Sequence, residues 1–193
     1  VMEMRLTDAG ARLLDGLVAA SRELGADPSL VLHGGGNTSV KAPWTDIFGD
    51  VGQALFVKGS GWDLRTIRAP GFAPVRLDYL QRLGGLAALT DTQMMQHLRL
   101  ALLDPAAPTP SVEAILHALL PFKYVDHTHA DAVVAISNTP QGEEHLRSIY
   151  GERVLILPYV MPGFVLAQQV HEAVAGADWE VLEGIILLHH GII

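Results

Sequence analysis

The sequence contains no cysteine, and this absence excludes several kinds of chemistry at once. Disulfides, thiolate metal sites and cysteine nucleophiles are all ruled out, so any metal must be bound through nitrogen or oxygen ligands. Positive charge is also scarce, with 13 lysines and arginines against 21 aspartates and glutamates. Nucleic-acid backbones are bound mainly by clustered lysine and arginine side chains. The net charge of −8 therefore argues against a nucleic-acid partner.

Long hydrophobic runs and a secretory leader are missing as well. The longest apolar run, residues 181–188, is interrupted by Glu183 and is far too short to cross a bilayer. The N-terminus shows no basic start followed by an apolar core and a small-residue cleavage site. We therefore expect a soluble protein with no membrane partner and a cytoplasmic location. Its 193 residues, 49% of them hydrophobic, suffice for one core in one domain.

Hydrophobic periodicity predicts helices and strands in a mixed order. The predicted helices span residues 8–25, 91–103, 111–120 and 164–175. The predicted strands span residues 54–58, 125–136, 154–157 and 181–193. This mixture is typical of α/β or α+β layering. Because independent domains rarely end inside an apolar strand, we expect residues 1–193 to be one domain truncated at its C-terminus.

Histidines in the later strands suggest a metal site. His127 and His129 lie in the predicted strand 125–136, where alternate side chains share a face, so both can bind one ion. Two unrelated histidines that only satisfy hydrogen bonds are an equal alternative. Either His189 or His190 can supply a third imidazole and leave positions open for substrate. Adjacent strand residues face opposite ways, so only one of these two can be a ligand.

Glu113 is the acidic residue that its position singles out. The segment 111–113 opens a predicted helix whose N-terminal N–H groups face any bound anion. From position alone, a glutamate that only complements the helix dipole is the favoured interpretation. His33 and His117 lie close in sequence to the proposed site segments, and supporting roles for them stay open.

Two glycine-rich segments, residues 33–41 and 58–62, predict backbone-lined turns. Ser39 stands where a dinucleotide fingerprint requires glycine or alanine, so the first is not a Rossmann motif. Lys58 does not follow the glycine that a Walker phosphate loop needs, so nucleotide hydrolysis has little support. Ordinary tight turns remain the alternative for both segments.

Five short motifs, taken in order, resemble the class II aldolase/adducin family. They are GNTS at 36–39, KGSG at 58–61, PSVE at 110–113, HTH at 127–129 and HG at 190–191. The resemblance spans nearly the whole chain. Longer strings such as HGGGNTSVK and PYVMPGF look closest to the branch of bifunctional rhamnulose-phosphate aldolase/alcohol dehydrogenase proteins, in which a short-chain dehydrogenase domain follows the aldolase domain. The resemblance implies a three-layer α/β/α fold with a mostly antiparallel central sheet, and homotetramers with sites near subunit interfaces.

The resemblance also implies roles for individual residues. A divalent ion, usually zinc, would be bound by His127, His129 and His190, with Glu113 as the catalytic acid/base. The residues implied in binding substrate phosphate are Asn37, Ser60, Gly61 and Ser111. Val112 stands where the family commonly has a second small hydroxylated residue, which puts one phosphate hydrogen bond in doubt.

The implied reaction is reversible cleavage of a ketose 1-phosphate, such as rhamnulose 1-phosphate in rhamnose catabolism. The products would be dihydroxyacetone phosphate and an aldehyde, through an enediolate that the ion stabilises. Glu113 would take or return the proton, a task that a pKa raised by partial burial would suit. Lys58 can add charge at the phosphate, whereas a Schiff-base role is disfavoured because a histidine metal site makes imine chemistry redundant.

Other functions stay open at this point. A related metal-dependent epimerase, dehydratase or decarboxylase would share the metal site. A non-catalytic adducin-like scaffold would keep the fold and bind no metal. Nicotinamide chemistry would require the dehydrogenase domain, since this segment lacks the fingerprint for it.

Overall fold

The computed structural model describes residues 5–193, with side chains from residue 6 onward. An antiparallel sheet of five strands forms the first half of the fold: β1 (Arg5–Leu6), β2 (Asn37–Thr45), β3 (Val51–Lys58), β4 (Phe72–Arg76) and β5 (Tyr124–His127). β2 pairs with β3, and β3 pairs with β4. On its other edge, β2 pairs with β5 at one end and with β1 at the other.

A second sheet is formed by β6 (Val154–Leu157), β7 (Gly184–Leu187) and β8 (Gly191–Ile192). β6 and β7 are parallel, and β8 returns antiparallel to β7. The two sheets meet where Thr128, directly after β5, forms an antiparallel bridge with Ile192. The end of β5 and the β7–β8 turn are thereby brought together.

Seven helices of the described chain surround these sheets: α1 (Asp8–Ala26), α2 (Leu77–Gly84), α3 (Asp91–Leu100), α4 (Ala114–Leu119), α5 (Asp131–Ser137), α6 (Gly142–Tyr150) and α7 (Phe164–Val174). Local sequence explains several of the boundaries. Thr7 caps α1 by accepting a hydrogen bond from the N–H of Gly10, and Thr90 and Gln93 form a capping box at α3. None of the helices within residues 5–193 is long and apolar enough to cross a membrane.

β3 shows why the fold has three layers. Its residues Ala54 and Phe56 pack in one cluster with Leu14 and Leu17 of α1. The alternate residues, Leu55 and Val57, pack in a second cluster with α2, α4 and α7. All four are almost fully buried, as expected for a strand covered on both faces. Helices on both sides of a mostly antiparallel central sheet confirm the predicted fold class.

Two of the predicted strands are wrong in extent. The segment 125–136 forms a strand only to His127 and then turns into α5, where Val133 packs against α6 and the second sheet. Short apolar runs do not distinguish strand from helix by periodicity. The segment 181–193 is a hairpin, because His189 adopts a positive φ of 60° and the chain reverses between β7 and β8.

Candidate metal centre

Three imidazoles meet where the two sheets join. His127 ends β5, His129 follows two residues later, and His190 lies in the β7–β8 turn. One ring nitrogen from each lies within 4.8 Å of the corresponding nitrogens of the other two. Nε2 of His127 and Nε2 of His129 are 3.1 Å apart. Two nitrogens bound tetrahedrally to one zinc ion at about 2.0–2.1 Å are separated by roughly 3.3 Å, so this spacing suits a shared ion.

The path that brings His129 to His127 differs from the predicted one. The expected reason was strand alternation, but His129 lies outside β5. Instead, the N–H of His129 donates to the carbonyl of Leu30, before the first glycine turn, and this contact directs the chain after β5. The predicted proximity of the two side chains is present, although His129 lies in an irregular segment after β5.

The environment of His127 favours metal binding. Its Nδ1 lies 3.1 Å from the carbonyl oxygen of Ile192, which can only accept, so Nδ1 carries the proton and Nε2 keeps a free lone pair. Burial lowers the pKa of His127 to about 4, and burial together with the neighbouring His190 lowers the pKa of His129. Both rings are therefore neutral near pH 7, the state in which imidazole binds a metal.

The structure distinguishes His190 from His189. His190 is largely buried and its ring centroid lies 4.7 Å from that of His127. His189 points outward, where its Nδ1 lies 2.9 Å from Oδ1 of Asn138. Only His190 lies in the cluster. Both histidines belong to the β7–β8 turn, so their different directions come from the turn and not from the strand alternation that was expected.

The carboxylate of Glu113 lies beside the imidazoles. Glu113 is the N-cap residue of α4, yet its side chain makes no capping hydrogen bond to that helix. Its Oε2 is 3.8 Å from Nε2 of His127 and its Oε1 is 3.7 Å from Nε2 of His190. Nδ2 of Asn37 donates to Oε2 at 2.6 Å. The alternative in which Glu113 only complements the helix dipole does not describe this geometry.

The pKa of Glu113 differs from the value expected for a buried acid. Burial raises it, but His127, the hydrogen bond from Asn37, His117 and His190 lower it, and the result lies below the ordinary glutamate value. The pKa raised towards neutrality that would suit an acid/base is therefore not found. Glu113 is ionised at neutral pH, which is the form that accepts a proton.

Alternate residues of β2 form polar contacts with α4 and the segment after it. Asn37 contacts Glu113, Ser39 Oγ lies 2.7 Å from Nδ1 of His117, and Lys41 donates to two backbone carbonyls beyond the end of α4. His117 is fully buried, and burial lowers its pKa to about 3, so it is neutral. These contacts fix α4, and hence Glu113, against the sheet. The supporting role left open for His117 is consistent with this position.

The remaining predicted residues line one pocket next to the imidazoles. This pocket has a volume of about 200 Å³ and is bounded by the two glycine turns. Asn37, Ser60, Gly61 and Ser111 all contribute to its wall, together with Glu113, His129 and His190. Val112 also lines the pocket and offers no side-chain hydrogen bond. His33 is exposed and is not part of this lining.

Gly191 permits the close approach of β8 to the histidines. A Cβ atom at this position would lie 2.2 Å from the carbonyl oxygen of Thr128 and 2.9 Å from Cε1 of His127. We expect Gly191→Ala to lower the free energy of unfolding by about 1–3 kcal/mol, because backbone has to move to accommodate the methyl group. Urea denaturation measures this loss.

Gly85→Ala is the matched control for this substitution. Gly85 has an ordinary φ of −82°, and its added Cβ would meet no atom nearer than 3.5 Å. Its stability should change by less than about 0.5 kcal/mol, as for most surface substitutions. Equal losses in the two variants would contradict the close packing inferred at Gly191.

Comparison of the chain with known proteins identifies its family and its relatives. Residues 15–193 match the family described as "Class II Aldolase and Adducin N-terminal domain". The uncharacterized oxidoreductase YuxG of Bacillus subtilis (strain 168) is 38% identical over 177 residues, which are 92% of this chain and 25% of that protein. The chain thus spans about a quarter of the length of this curated relative.

Solved structures show the same fold. The N-terminal class II aldolase domain of a conserved protein from Thermoplasma acidophilum superposes with a TM-score of 0.85 and 41% identity, over 93% of this chain and 81% of that one. A sugar-phosphate aldolase from Thermotoga maritima superposes with a TM-score of 0.64 and 13% identity, over 94% of this chain and 83% of that one. At 13% identity, the similarity to the Thermotoga maritima protein shows a shared fold and nothing more.

Proposed function

Because the chain belongs to the class II aldolase and adducin family, we propose that it cleaves a ketose 1-phosphate to dihydroxyacetone phosphate and an aldehyde, with the help of a divalent metal ion. The family supports a metal-dependent, aldolase-like function. The observation that carries the specific proposal is a carboxylate, that of Glu113, within 3.8 Å of two members of a three-imidazole cluster. Rhamnulose 1-phosphate is the first substrate to test.

The donor set fits such an ion, because His127 presents a free Nε2 and the neighbouring His129 is also neutral. His127, His129 and His190 would hold it, and zinc is the metal that three imidazoles with an open position suit best. The ion would supply Lewis acidity towards the substrate carbonyl. Because an imidazole that binds a metal is an uncharged ligand, three of them would leave the positive charge of the ion unreduced.

Glu113 is placed to transfer the proton. Asn37 holds one carboxylate oxygen, Oε2, whereas Oε1 is buried with no hydrogen-bond partner in the described chain. In the condensation direction Oε1 would remove a proton from the hydroxymethyl carbon of dihydroxyacetone phosphate, next to its carbonyl. In the cleavage direction it would return a proton to the same carbon after the bond from that carbon to the aldehyde portion has broken. The ionised state of Glu113 suits the first of these steps.

Neutral donors would bind the rest of the substrate. Ser60, Ser111 and Gly61 line the pocket. The two hydroxyl groups and the backbone N–H of the glycine are donors of the kind that suit phosphate oxygens. Asn37 uses one amide hydrogen for Glu113 and retains a second for substrate. All four of these residues line the same pocket.

The test combines metal analysis with a cleavage assay. Purified protein should contain about one divalent ion per chain, and dihydroxyacetone phosphate should appear when ketose 1-phosphates are supplied. A chelator should abolish this release and added zinc should restore it. Metal-loaded protein that cleaves none of them would overturn the proposal. NMR of the products separates the related enzymes: a changed stereocentre would favour an epimerase, loss of water a dehydratase, and loss of carbon dioxide a decarboxylase. Absence of bound metal would favour an adducin-like scaffold.

Assembly and chain context stay predictions. The homotetramer implied by the resemblance is measured by light scattering of the purified protein in solution. The resemblance to bifunctional proteins also implies a dehydrogenase domain in a longer polypeptide. We propose this coupling on the resemblance alone.

A further inference from the structure

Ser39 and His117 form a buried hydrogen-bonded pair between β2 and α4. Oγ of Ser39 lies 2.7 Å from Nδ1 of His117, and both residues are 0% exposed. Nε2 of His117 is buried and has no hydrogen-bond partner in the described chain. Two apolar side chains of similar shape would leave no polar atom unsatisfied, so replacing such a pair is often neutral for stability. What the pair does provide is a fixed distance and direction between the strand and the helix.

This pair lies next to the contact between Asn37 and Glu113. Asn37 and Ser39 are alternate residues of β2, so their side chains lie on the same face, about 6.8 Å apart. Glu113 and His117 are four residues apart, a rise of about 6 Å along a helix, and the N–H of His117 donates to the carbonyl of Glu113. Because these two spacings nearly match, both contacts can form together, and together they fix the register of α4 along β2.

α4 depends on such contacts for its position. It has only six residues, and a helix of that length is not stable without tertiary contacts. Most of its side chains are buried in an apolar cluster, but hydrophobic contacts are non-directional. A hydrogen bond, in contrast, weakens steeply as its angle departs from the preferred one. Since Glu113 directly precedes the helix, a shift of α4 would move the carboxylate relative to the imidazoles.

His117 and Ser39 do not act on the pocket directly. Neither side chain belongs to the pocket wall, and the hydrogen bond that the His117 ring makes is to Ser39. Burial lowers the pKa of His117 to about 3, so the ring is neutral near pH 7 and its replacement removes no charge. Any effect of the pair on the chemistry is therefore exerted through the position of Glu113 and of the helix that follows it.

We propose that Ser39 and His117 are positioning residues, which hold α4 in the register that places the Glu113 carboxylate next to the three imidazoles. This inference rests on the proposed function where it concerns proton transfer. It also fixes the position of a side chain, which can be measured without any activity. Neither residue takes part in a bond-making step.

The first experiment follows the side-chain amide of Asn37 by NMR, because its Nδ2 donates to the Glu113 carboxylate at 2.6 Å. The double variant Ser39→Ala/His117→Leu removes both polar partners, so its Tm should stay within about 5 °C of the original. The Asn37 amide resonances should nevertheless move towards the values of a free amide. Ser39→Ala alone removes a single oxygen and should shift them in the same direction, which provides the test if the double variant does not fold. Unchanged resonances in a folded variant would overturn the proposal.

The pair of Ser21 and Thr38 offers a matched control on the same strand. Oγ of Ser21 lies 2.6 Å from Oγ1 of Thr38, and both residues are fully buried. Thr38 is the neighbour of Ser39 in β2, but its partner belongs to α1 on the other face of the sheet. Ser21→Ala/Thr38→Val should change Tm by a similar amount and leave the Asn37 resonances in place. Equal shifts of these resonances in the two double variants would contradict a specific role for the contact with α4.

Steady-state kinetics of ketose-phosphate cleavage form the second experiment. Ser39→Ala/His117→Leu should lower kcat roughly 10- to 100-fold, because a reacting group displaced by about 1 Å can cost that much. KM should stay within about threefold and bound metal at its original level, since the pocket wall and the imidazoles are unchanged. His117→Asn, whose amide can take the place of Nδ1 as the partner of Ser39, should recover most of kcat.

The outcomes of the two experiments separate the inference from the proposed function. An unchanged kcat, or a loss of metal and a rise in KM that match the loss of kcat, would overturn the positioning role while cleavage by the original protein upholds the proposed function. If the original protein cleaves no ketose phosphate, the proposed function fails. The Asn37 resonances then still decide whether Ser39 and His117 hold Glu113 in place.

Discussion

Glu113→Gln should lower kcat for ketose-phosphate cleavage by about 10²- to 10⁴-fold, the usual contribution of a positioned acid/base. The substitution keeps the shape of the side chain and an oxygen that can accept the hydrogen bond from Asn37, but removes the group that accepts a proton. Because Glu113 lies beside the imidazoles but is not one of the three proposed metal ligands, the variant should still bind about one ion per chain. Steady-state kinetics and metal analysis of the same preparation measure both quantities.

Glu144→Gln is the matched control for that substitution. Glu144 lies in the first turn of α6, is exposed and forms no salt bridge with the described side chains. Its loss removes one negative charge without touching the pocket, so kcat and metal content should both stay at their original values. If Glu113→Gln lost its metal in parallel with its activity, Glu113 would be a ligand or a structural support instead of the proton-transfer group.

The sequence predicts the layers of the fold better than the ends of its elements. β3 illustrates the successful part, because the predicted strand 54–58 lies within it, and its four consecutive apolar residues are buried on both faces. The segment after His127 illustrates the failure. Its residues 131–137 are apolar enough for either a strand or a helix, and the choice depends on contacts with α6 and the second sheet that are distant in sequence.

The sequence indicated which segments lie at the candidate site but not its geometry. Residues from each of the five motifs line one pocket, and comparison with known proteins confirms the family resemblance. The lowered pKa of Glu113 depends on how closely His127, His117, His190 and Asn37 approach its carboxylate, which sequence spacing does not specify.

His190→Ala should remove most of the stabilisation that zinc gives to the protein. When free zinc exceeds the dissociation constant 100-fold, a single site adds about 2.7 kcal/mol to the free energy of unfolding. For a domain of this size that corresponds to a rise in Tm of roughly 5–10 °C. Loss of one of three imidazole ligands should weaken zinc binding by at least about 100-fold, a larger effect than loss of a supporting residue. At the same zinc concentration the variant would then gain only about 0.4 kcal/mol.

His189→Ala provides the adjacent control, because it removes the same ring from the same turn. His189 contacts Asn138 on the outside of the fold, so its loss should cost at most about 1 kcal/mol for that hydrogen bond. The increase in Tm on adding zinc should be unchanged. Thermal melts of both variants with and without zinc, together with metal analysis, give the comparison. Equal zinc responses in the two variants would show that the ion is bound elsewhere. Loss of the zinc response in His190→Ala alone would identify His190 as the third ligand.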